Sequence, residues 1–116
     1  MKLKEGMFVR TLDGILKVVE VRDNSVVGRF VNEDGNVYFM NEIICNPSFN
    51  IIELIKPKDI ILGRDGRLYQ CWKIYKDYVF TYSKNKQGQT ITLVDYQIDK
   101  ILTKEQFEQM SYKVGE

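Results

Sequence analysis

A run of basic and aromatic side chains carries the residue types best suited to recognising a partner. It lies between residues 64 and 86 and comprises Arg64, Arg67, Tyr69, Trp72, Lys73, Tyr75, Lys76, Tyr78, Phe80, Tyr82, Lys84 and Lys86. Single-stranded nucleic acid binds to cationic grooves with exposed rings on which the bases stack. Tyr, Trp and Arg also dominate the energetics of protein interfaces. The run therefore predicts a binding surface, and we assign partner binding to Arg64, Arg67, Trp72, Tyr75 and Lys76.

The distribution of charge supports this assignment. The net charge of +1 conceals a segment, residues 56–94, with eight Lys and Arg against three Asp and Glu. Residues 1–55 carry six against eight, and residues 95–116 carry three against five. A local basic surplus steers association with nucleic acid or with an acidic protein, and the sequence does not choose between them.

The same rings also allow a purely structural interpretation. Tyr78, Phe80 and Tyr82 alternate with other residues, so in a strand they share one face. That face is either an aromatic platform or a wall of the core. Because a small β domain needs large side chains to fill its interior, we expect these rings in the core.

Catalytic chemistry has little support in the residue types. The chain contains no histidine, which removes Ser-His and Cys-His nucleophile systems and the commonest metal ligand. Neighbouring carboxylates, Glu33 with Asp34 and Asp95 with Asp99, fall in predicted turns or on polar faces. We interpret them as solvated charges, since spacing alone does not make a catalytic pair.

Glycines and cysteines show no catalytic or cofactor-binding pattern either. Gly63, Gly66 and Gly88 do not precede the Lys and Ser or Thr of a phosphate-binding loop. Cys45 and Cys71 lack the further ligands that a zinc site needs, and we expect two reduced thiols. The sequence therefore predicts a non-enzymatic protein with no cofactor and no metal.

The elements that position the basic and aromatic run form a repeat. Asp13-Gly14 and Asp65-Gly66 are 52 residues apart, and each turn joins two apolar runs. The glycine turns at Gly35 and Gly88 are 53 residues apart, so one residue is gained between the copies. A unit too small to bury enough surface alone is expected to pack against its duplicate. At the spacing of 52, Trp72 corresponds to Glu20.

Short strands with polar turns between them define the predicted fold. We predict an all-β protein of two tandem SH3-like small barrels packed together, with a short C-terminal helix. The first barrel takes residues 1–46, a connector residues 47–57, the second barrel residues 58–102, and the helix and tail residues 103–116. Five residues at 51–55, IIELI, fit a helical turn or a strand equally well.

The pattern of apolar residues changes after residue 101. Thr103 and Gln106 match a capping box, which predicts a helix over about residues 104–110. Tyr112 and Val114 then predict a closing strand or an extended tail. The 116 residues include no apolar run long enough to span a membrane and no apolar core of a signal peptide near Met1. We therefore expect a cytoplasmic protein.

Three segments resemble a family of small proteins encoded by phages, prophages and other mobile elements of Firmicutes. They are residues 9–18 (VRTLDGILKV), residues 50–61 (NIIELIKPKDII) and residues 98–114 (IDKILTKEQFEQMSYKV). The family usually joins its halves by Ser-Pro-Asn, Ile-Ile-Asp-Leu-Ile and then Gly-Asp. Here the order at Pro47 and Ser48 is inverted, Glu53 replaces Asp, and Lys58 stands where Gly is expected.

The resemblance implies a biological context rather than an activity. It leaves residues 65–92 largely private to this chain, which places specificity in the basic and aromatic run. Small proteins of mobile elements include inhibitors of host defence, so we expect an anti-CRISPR-like protein that binds a defence protein or nuclease complex. A single-stranded nucleic-acid-binding protein is the main alternative. Capture of a small nucleotide and a structural virion or housekeeping role also remain open.

Overall fold

Two antiparallel sheets and one C-terminal helix make up the structure, a computed structural model that describes residues 2–23 and 28–114. The four-stranded sheet has the order β1-β2-β3-β4, from β1 (Phe8–Thr11), β2 (Gly14–Asp23), β3 (Gly28–Asn32) and β4 (Val37–Phe39). The five-stranded sheet has the order β8-β7-β6-β5-β9, from β5 (Ile60–Gly63), β6 (Leu68–Tyr75), β7 (Tyr78–Lys84), β8 (Thr90–Val94) and β9 (Ile98–Leu102). The helix is α1 (Lys104–Val114), and short 3₁₀ helices occupy Met40–Glu42, Ile51–Leu54 and Asp95–Gln97.

This architecture confirms the predicted all-β class and the C-terminal helix. It does not confirm the two predicted barrels, because within residues 2–23 and 28–114 no ladder joins the edge strands of either sheet. Both sheets are therefore open. No helix in the same ranges is long and apolar enough to cross a membrane.

The two sheets contain the same turn at the predicted spacing. The Asn32 side-chain oxygen accepts hydrogen bonds from the N–H groups two and four residues later, at 3.1 and 2.9 Å. Asn85 does the same at 2.9 Å in both bonds. Gly35 and Gly88 then take positive φ angles of 82° and 79°, which glycine adopts without steric cost. The repeat in the sequence therefore corresponds to the same hydrogen-bonding pattern in the two turns.

A β-bulge is also repeated, in β2 and in β6. The extra residue is Val19 in the first bulge and Trp72 in the second. Trp72 lies 53 residues after Val19, because the turn that contains Asp65 is one residue longer than the turn that contains Asp13. The expected correspondence of Trp72 with Glu20 is therefore wrong, since the extra residue enters at the turn itself.

Each sheet packs its own apolar core, and the second core receives residues from outside its sheet. The buried residues of the first core are Leu3, Met7, Val9, Val18 and Phe30. Those of the second are Ile52, Ile55, Ile61, Tyr69, Cys71, Val79, Leu93 and Ile98. Ile52 and Ile55 come from the predicted connector, and Ile15 of the first sheet packs against the same cluster. The ambiguous stretch is therefore a 3₁₀ helix that fills the second core.

Helix α1 begins as predicted and ends later than predicted. The Thr103 N–H donates to the Gln106 side chain at 2.9 Å, and the Gln106 N–H donates to the Thr103 hydroxyl at 3.3 Å. These two bonds confirm the capping box. Because no glycine or proline interrupts residues 104–114, the helix continues to Val114. The prediction of a strand or an extended tail at Tyr112 and Val114 is wrong.

Lys58 adopts a backbone conformation that favours glycine. Its φ is 81°, and Gly6, which stands 52 residues earlier, has a φ of 89°. A Cβ at positive φ is strained, by about 1 kcal/mol or more. We expect Lys58→Gly to raise the free energy of unfolding by about 0.5 kcal/mol or more, as measured by urea denaturation. Lys58→Ala, which keeps the Cβ, is the control, and equal stability of the two variants would contradict this account.

Candidate functional site

Five aromatic side chains form a continuous row on the outer surface of β6 and β7. We call this row the aromatic face; its members are Tyr82, Trp72, Phe80, Tyr78 and Tyr75. Successive ring centroids along the row are 6.4, 5.8, 5.4 and 5.6 Å apart, within the range of favourable aromatic contacts. The rings support one another, so they offer a preformed surface.

Strand alternation explains why the rings point outward. Tyr69 and Cys71 in β6, and Val79 and Thr81 in β7, are buried on the core side. Their neighbours in sequence therefore lie on the opposite side of the sheet. At the bulge in β6, Trp72 lies on that side without a partner in β7, and pairing resumes at Lys73 with a shifted register.

The expectation that Tyr78, Phe80 and Tyr82 fill the core is therefore wrong. Their share of the core volume is taken by aliphatic side chains, including Ile52 of the 3₁₀ helix before β5 and Ile55, which follows that helix. The platform interpretation is the one that matches the structure.

Exposure distinguishes the aromatic face from an ordinary sheet surface. Tyr82 is 65% exposed, Tyr75 49% and Trp72 41%. Leu68, on the same side of β6, is 67% exposed. Contiguous apolar patches on a monomer commonly mark interaction sites, whereas single exposed apolar residues do not.

The structure brings together only part of the predicted site. Trp72 and Tyr75 both belong to the aromatic face, connected through Phe80 and Tyr78. The charged members are divided between the ends of β6. Arg64 and Arg67 lie at the turn before this eight-residue strand and Lys76 at the turn after it. Eight residues span roughly 25 Å, so these charges rim the face at its two ends.

The turn before β6 is held in one conformation by its own side chains. The Tyr69 hydroxyl donates to Asp65 at 2.6 Å, and Asp65 also accepts from the N–H of Arg67 at 3.0 Å. The hydrogen bond with Tyr69 lowers the pKa of Asp65, and the same bond raises the pKa of Tyr69. Arg64 Nε donates to the carbonyl oxygen of Tyr96 at 2.8 Å. The turn thus presents its two arginines from a fixed backbone.

The β7 rings are not among the five site residues predicted from the sequence, although their spacing could have identified them. Tyr78, Phe80 and Tyr82 have the period of two that puts three rings on one side of a strand. Lys73 pairs with Phe80 across the ladder, Lys84 follows Tyr82 by two residues, and both lysines are exposed. The site is therefore broader than the five predicted residues and centres on both strands.

Cys71 does not have the properties of an activated nucleophile. Burial raises the pKa of Cys71 to about 11, with the charge of Asp59 as the next cause. At neutral pH the thiol is protonated, and the thiolate is the reactive form. Cys45 is a half-buried free thiol. Among the described residues no group of three or more His, Cys, Asp and Glu side chains is placed to hold a metal ion.

A buried charged cluster joins the two units, and sequence analysis missed it. Arg10 in β1 has no exposed side-chain surface and pairs in bidentate fashion with the equally buried Asp59, at 2.5 and 2.7 Å. Its Nε and Nη2 donate to Glu105 of α1 at 2.7 and 2.9 Å, and Nη1 donates to the carbonyl oxygen of Leu54 at 2.8 Å. All five N–H groups of the guanidinium are used.

Asp59, the carboxylate partner of Arg10, also accepts hydrogen bonds from the backbone. Asp59 accepts from the N–H groups of Lys56 and Lys104 at 2.8 and 2.9 Å. Burial alone lowers the pKa of Arg10, but the hydrogen bonds that Arg10 donates to Asp59 and Glu105 outweigh it and raise that pKa above its ordinary value. The cluster therefore holds β1, the start of β5 and α1 in one arrangement, and so fixes the second sheet relative to the first.

Comparisons with known proteins add nothing to this geometry. No family model, curated protein or solved structure matches the chain.

Acid is expected to loosen the attachment of α1. The hydrogen bond from Arg10 lowers the pKa of Glu105, with burial as a weaker opposing cause. A carboxylate whose pKa is lower in the folded state than in the unfolded state stabilises the fold. This stabilisation is complete above the unfolded pKa, which is near 4.5 here, and it is lost as the pH falls through the lower pKa of the folded state.

We expect the difference in free energy of unfolding between wild type and Glu105→Gln to be largest near neutral pH and to shrink below pH 4.5. Chemical denaturation at several pH values measures it, with exposed Glu108→Gln as control. A difference that does not change with pH would contradict the assigned ion pair.

Proposed function

We propose that this chain is a non-enzymatic binding protein of a phage or other mobile element, and that its aromatic face contacts a protein of a bacterial defence system. The observation that carries the proposal is the row of five touching rings on an open sheet surface, three of which are at least 41% exposed. The resemblance to mobile-element proteins supplies the biological context.

The residue types on this surface suit a protein partner. Hot spots of interfaces are enriched in Trp, Tyr and Arg, and they lie in well-packed central areas surrounded by polar residues. Here Trp72 and the tyrosines form the centre, and Arg64, Arg67 and Lys76 lie at the rim. Rim cations raise the rate of association with an acidic partner more than they raise affinity. The proposed partner surface is therefore apolar at its centre and acidic at its edge.

Inhibition by such a protein needs no chemistry on the partner. A stable interface buries about 800 Å² on each partner, and aromatic side chains bury about 150–250 Å² each when fully covered. Five rings that are already partly covered by one another supply a large part of that area. Binding over a substrate channel or an assembly surface of a defence nuclease is sufficient to block it.

The direct test is capture of the partner with two matched baits. Tagged wild-type protein and tagged Trp72→Ala are incubated with lysate from a Firmicute that carries a CRISPR system, and bound proteins are identified by mass spectrometry. We expect a defence component with the wild type and not with the variant, and reduced interference in a plasmid-clearance assay. Absence of any defence component, together with unchanged interference, would refute the proposal.

Single-stranded nucleic acid is the second candidate, favoured by the side-by-side rings and the neighbouring lysines. Bases stack on such rings, and the exposed Lys73, Lys84 and Lys86 would contact phosphates. Three phosphate contacts predict a slope of log affinity against log salt of about −2. Fluorescence anisotropy with a labelled oligothymidine measures this slope. If the wild type binds the oligonucleotide and Trp72→Ala does not, nucleic acid rather than a protein is the partner of the aromatic face. If the wild type does not bind the oligonucleotide at low salt, nucleic acid is excluded.

A further inference from the structure

A groove of about 470 Å³ lies between the two units, away from the aromatic face. Its apolar floor comes from both sides of the molecule. Phe8, Ile15 and Leu16 belong to the first sheet, Ile51 to the 3₁₀ helix before β5, and Ile101 to β9. All five side chains are only half-buried. The groove therefore leaves apolar surface open to water, which is unfavourable unless something covers it.

Carboxylates line both walls of this groove. Glu33 and Asp34, in the turn between β3 and β4, stand on the wall formed by the first unit. Asp95, in the 3₁₀ helix after β8, and Asp99, in β9, stand on the other. All four side chains are exposed, and in the described part of the chain none of them forms an ion pair.

The lining as a whole is acidic. Lys17 and Lys100 also reach the groove, so four carboxylates face two ammonium groups. The four carboxylates repel one another, and folding gains nothing from placing them around an apolar floor. A cationic occupant with an aliphatic part would relieve the repulsion and cover the floor. The volume lies within the range of about 300–1,000 Å³ that is usual for ligand sites.

We propose that this groove binds an extended peptide segment of a partner protein in which an aliphatic residue is flanked by lysine or arginine. The aliphatic side chain covers Ile51 and Ile101, and the flanking cations reach the carboxylates on the two walls. The groove shares no residue with the aromatic face, so the inference does not depend on the function proposed for that face. Since its walls belong to different units, the site exists only while the Arg10 cluster holds them together.

Three labelled peptides test the proposed chemistry by fluorescence anisotropy. The probe is acetyl-Lys-Leu-Lys-Leu-Lys-amide; one control replaces both leucines by serine and the other replaces the lysines by glutamate. We expect the first peptide to bind at about 50 mM salt, where exposed charges are weakly screened. The serine peptide is expected to bind several-fold more weakly, and the glutamate peptide is expected not to bind.

Two double variants locate the binding. Asp95→Asn/Asp99→Asn removes the carboxylates of one wall, and Glu5→Gln/Glu108→Gln removes two exposed carboxylates that do not line the groove. Loss of two surface ion pairs predicts about fivefold weaker binding for the first variant and no change for the second. Thermal unfolding confirms that both variants are folded.

Any of three results would contradict the proposal. Equal effects of the two double variants would show that only the overall charge attracts the peptide. Equal affinity of the serine and leucine peptides would show that the apolar floor is not used. In an amide spectrum we expect the leucine peptide to shift the signals of Ile51 and Ile101, and shifts confined to other residues would also count against the groove.

Discussion

Arg10→Met is expected to lower the free energy of unfolding by about 3–5 kcal/mol, the cost of leaving one partner of a buried ion pair without the other. The substitution keeps an unbranched apolar stem but removes all five donors. Asp59, with no exposed side-chain surface, is then a buried charge without its counterion. Domains of this size have a total stability of about 5–15 kcal/mol, so the loss is a large fraction of it. At about 4 °C for each kcal/mol, calorimetry should show a Tm lower by about 12–20 °C.

The exposed pair between Arg22 and Glu20 supplies the matched control. Both side chains are about half exposed, and the Nε to carboxylate distance is 2.9 Å. Arg22→Met removes an ion-paired arginine as well, but exposed pairs contribute only about 0–1 kcal/mol. A similar loss for the two variants would contradict the importance of the buried cluster. Adding Asp59→Asn to Arg10→Met should recover part of the stability, because it removes the buried charge while keeping an acceptor for one backbone N–H.

Trp72→Ala is expected to weaken partner binding by at least about thirtyfold, since a central hot-spot side chain contributes about 2 kcal/mol or more. The stability of the fold should change little in comparison. Trp72 is the extra residue of a bulge, and 41% of its surface is exposed. Among the aromatic side chains that the structure describes, its ring contacts those of Phe80 and Tyr82. Surface plasmon resonance with the captured partner, or anisotropy with the oligonucleotide, measures the loss.

Tyr96→Ala is the control for this variant. Tyr96 is an aromatic side chain that is 73% exposed and lies outside the aromatic face. Its removal should leave affinity within about twofold, as for most surface residues outside a hot spot. If Tyr96→Ala costs as much affinity as Trp72→Ala, the binding surface is not the aromatic face.

Local patterns in the sequence predict the elements well because the elements are fixed by local chemistry. The Asp-Gly turns, the second pair of glycine turns and the capping box at Thr103 depend on residues within four positions of one another. The closed barrels depend instead on how far each sheet curves, which strand patterns do not specify. The sequence predicts the end of α1 too early because the residues after position 110 also allow an extended strand.

The buried cluster could not be predicted from the alternation in β1. Arg10 alternates with Val9, so the strand pattern places it on the outer side, where a charged residue is expected. That side is covered by Asp59 and Glu105, which are 49 and 95 residues away in sequence. Burial of this kind follows from the docking of the two units. The prediction that the rings of β7 lie in the core fails for a related reason. The side chains that fill the core in their place come from another segment of the chain.

The paired bulges at Val19 and Trp72 bear on how this chain could have diversified. A bulge residue has no partner across the ladder, so its side chain is released from the cross-strand fit that restricts its neighbours. A mutation there alters what the surface displays while the register of the sheet is retained. After a duplication, one copy can keep a small aliphatic residue at this position while the other acquires a large ring. Selection for new partners would then act on a site that is nearly decoupled from folding, and the bulge in the first sheet remains available for the same use.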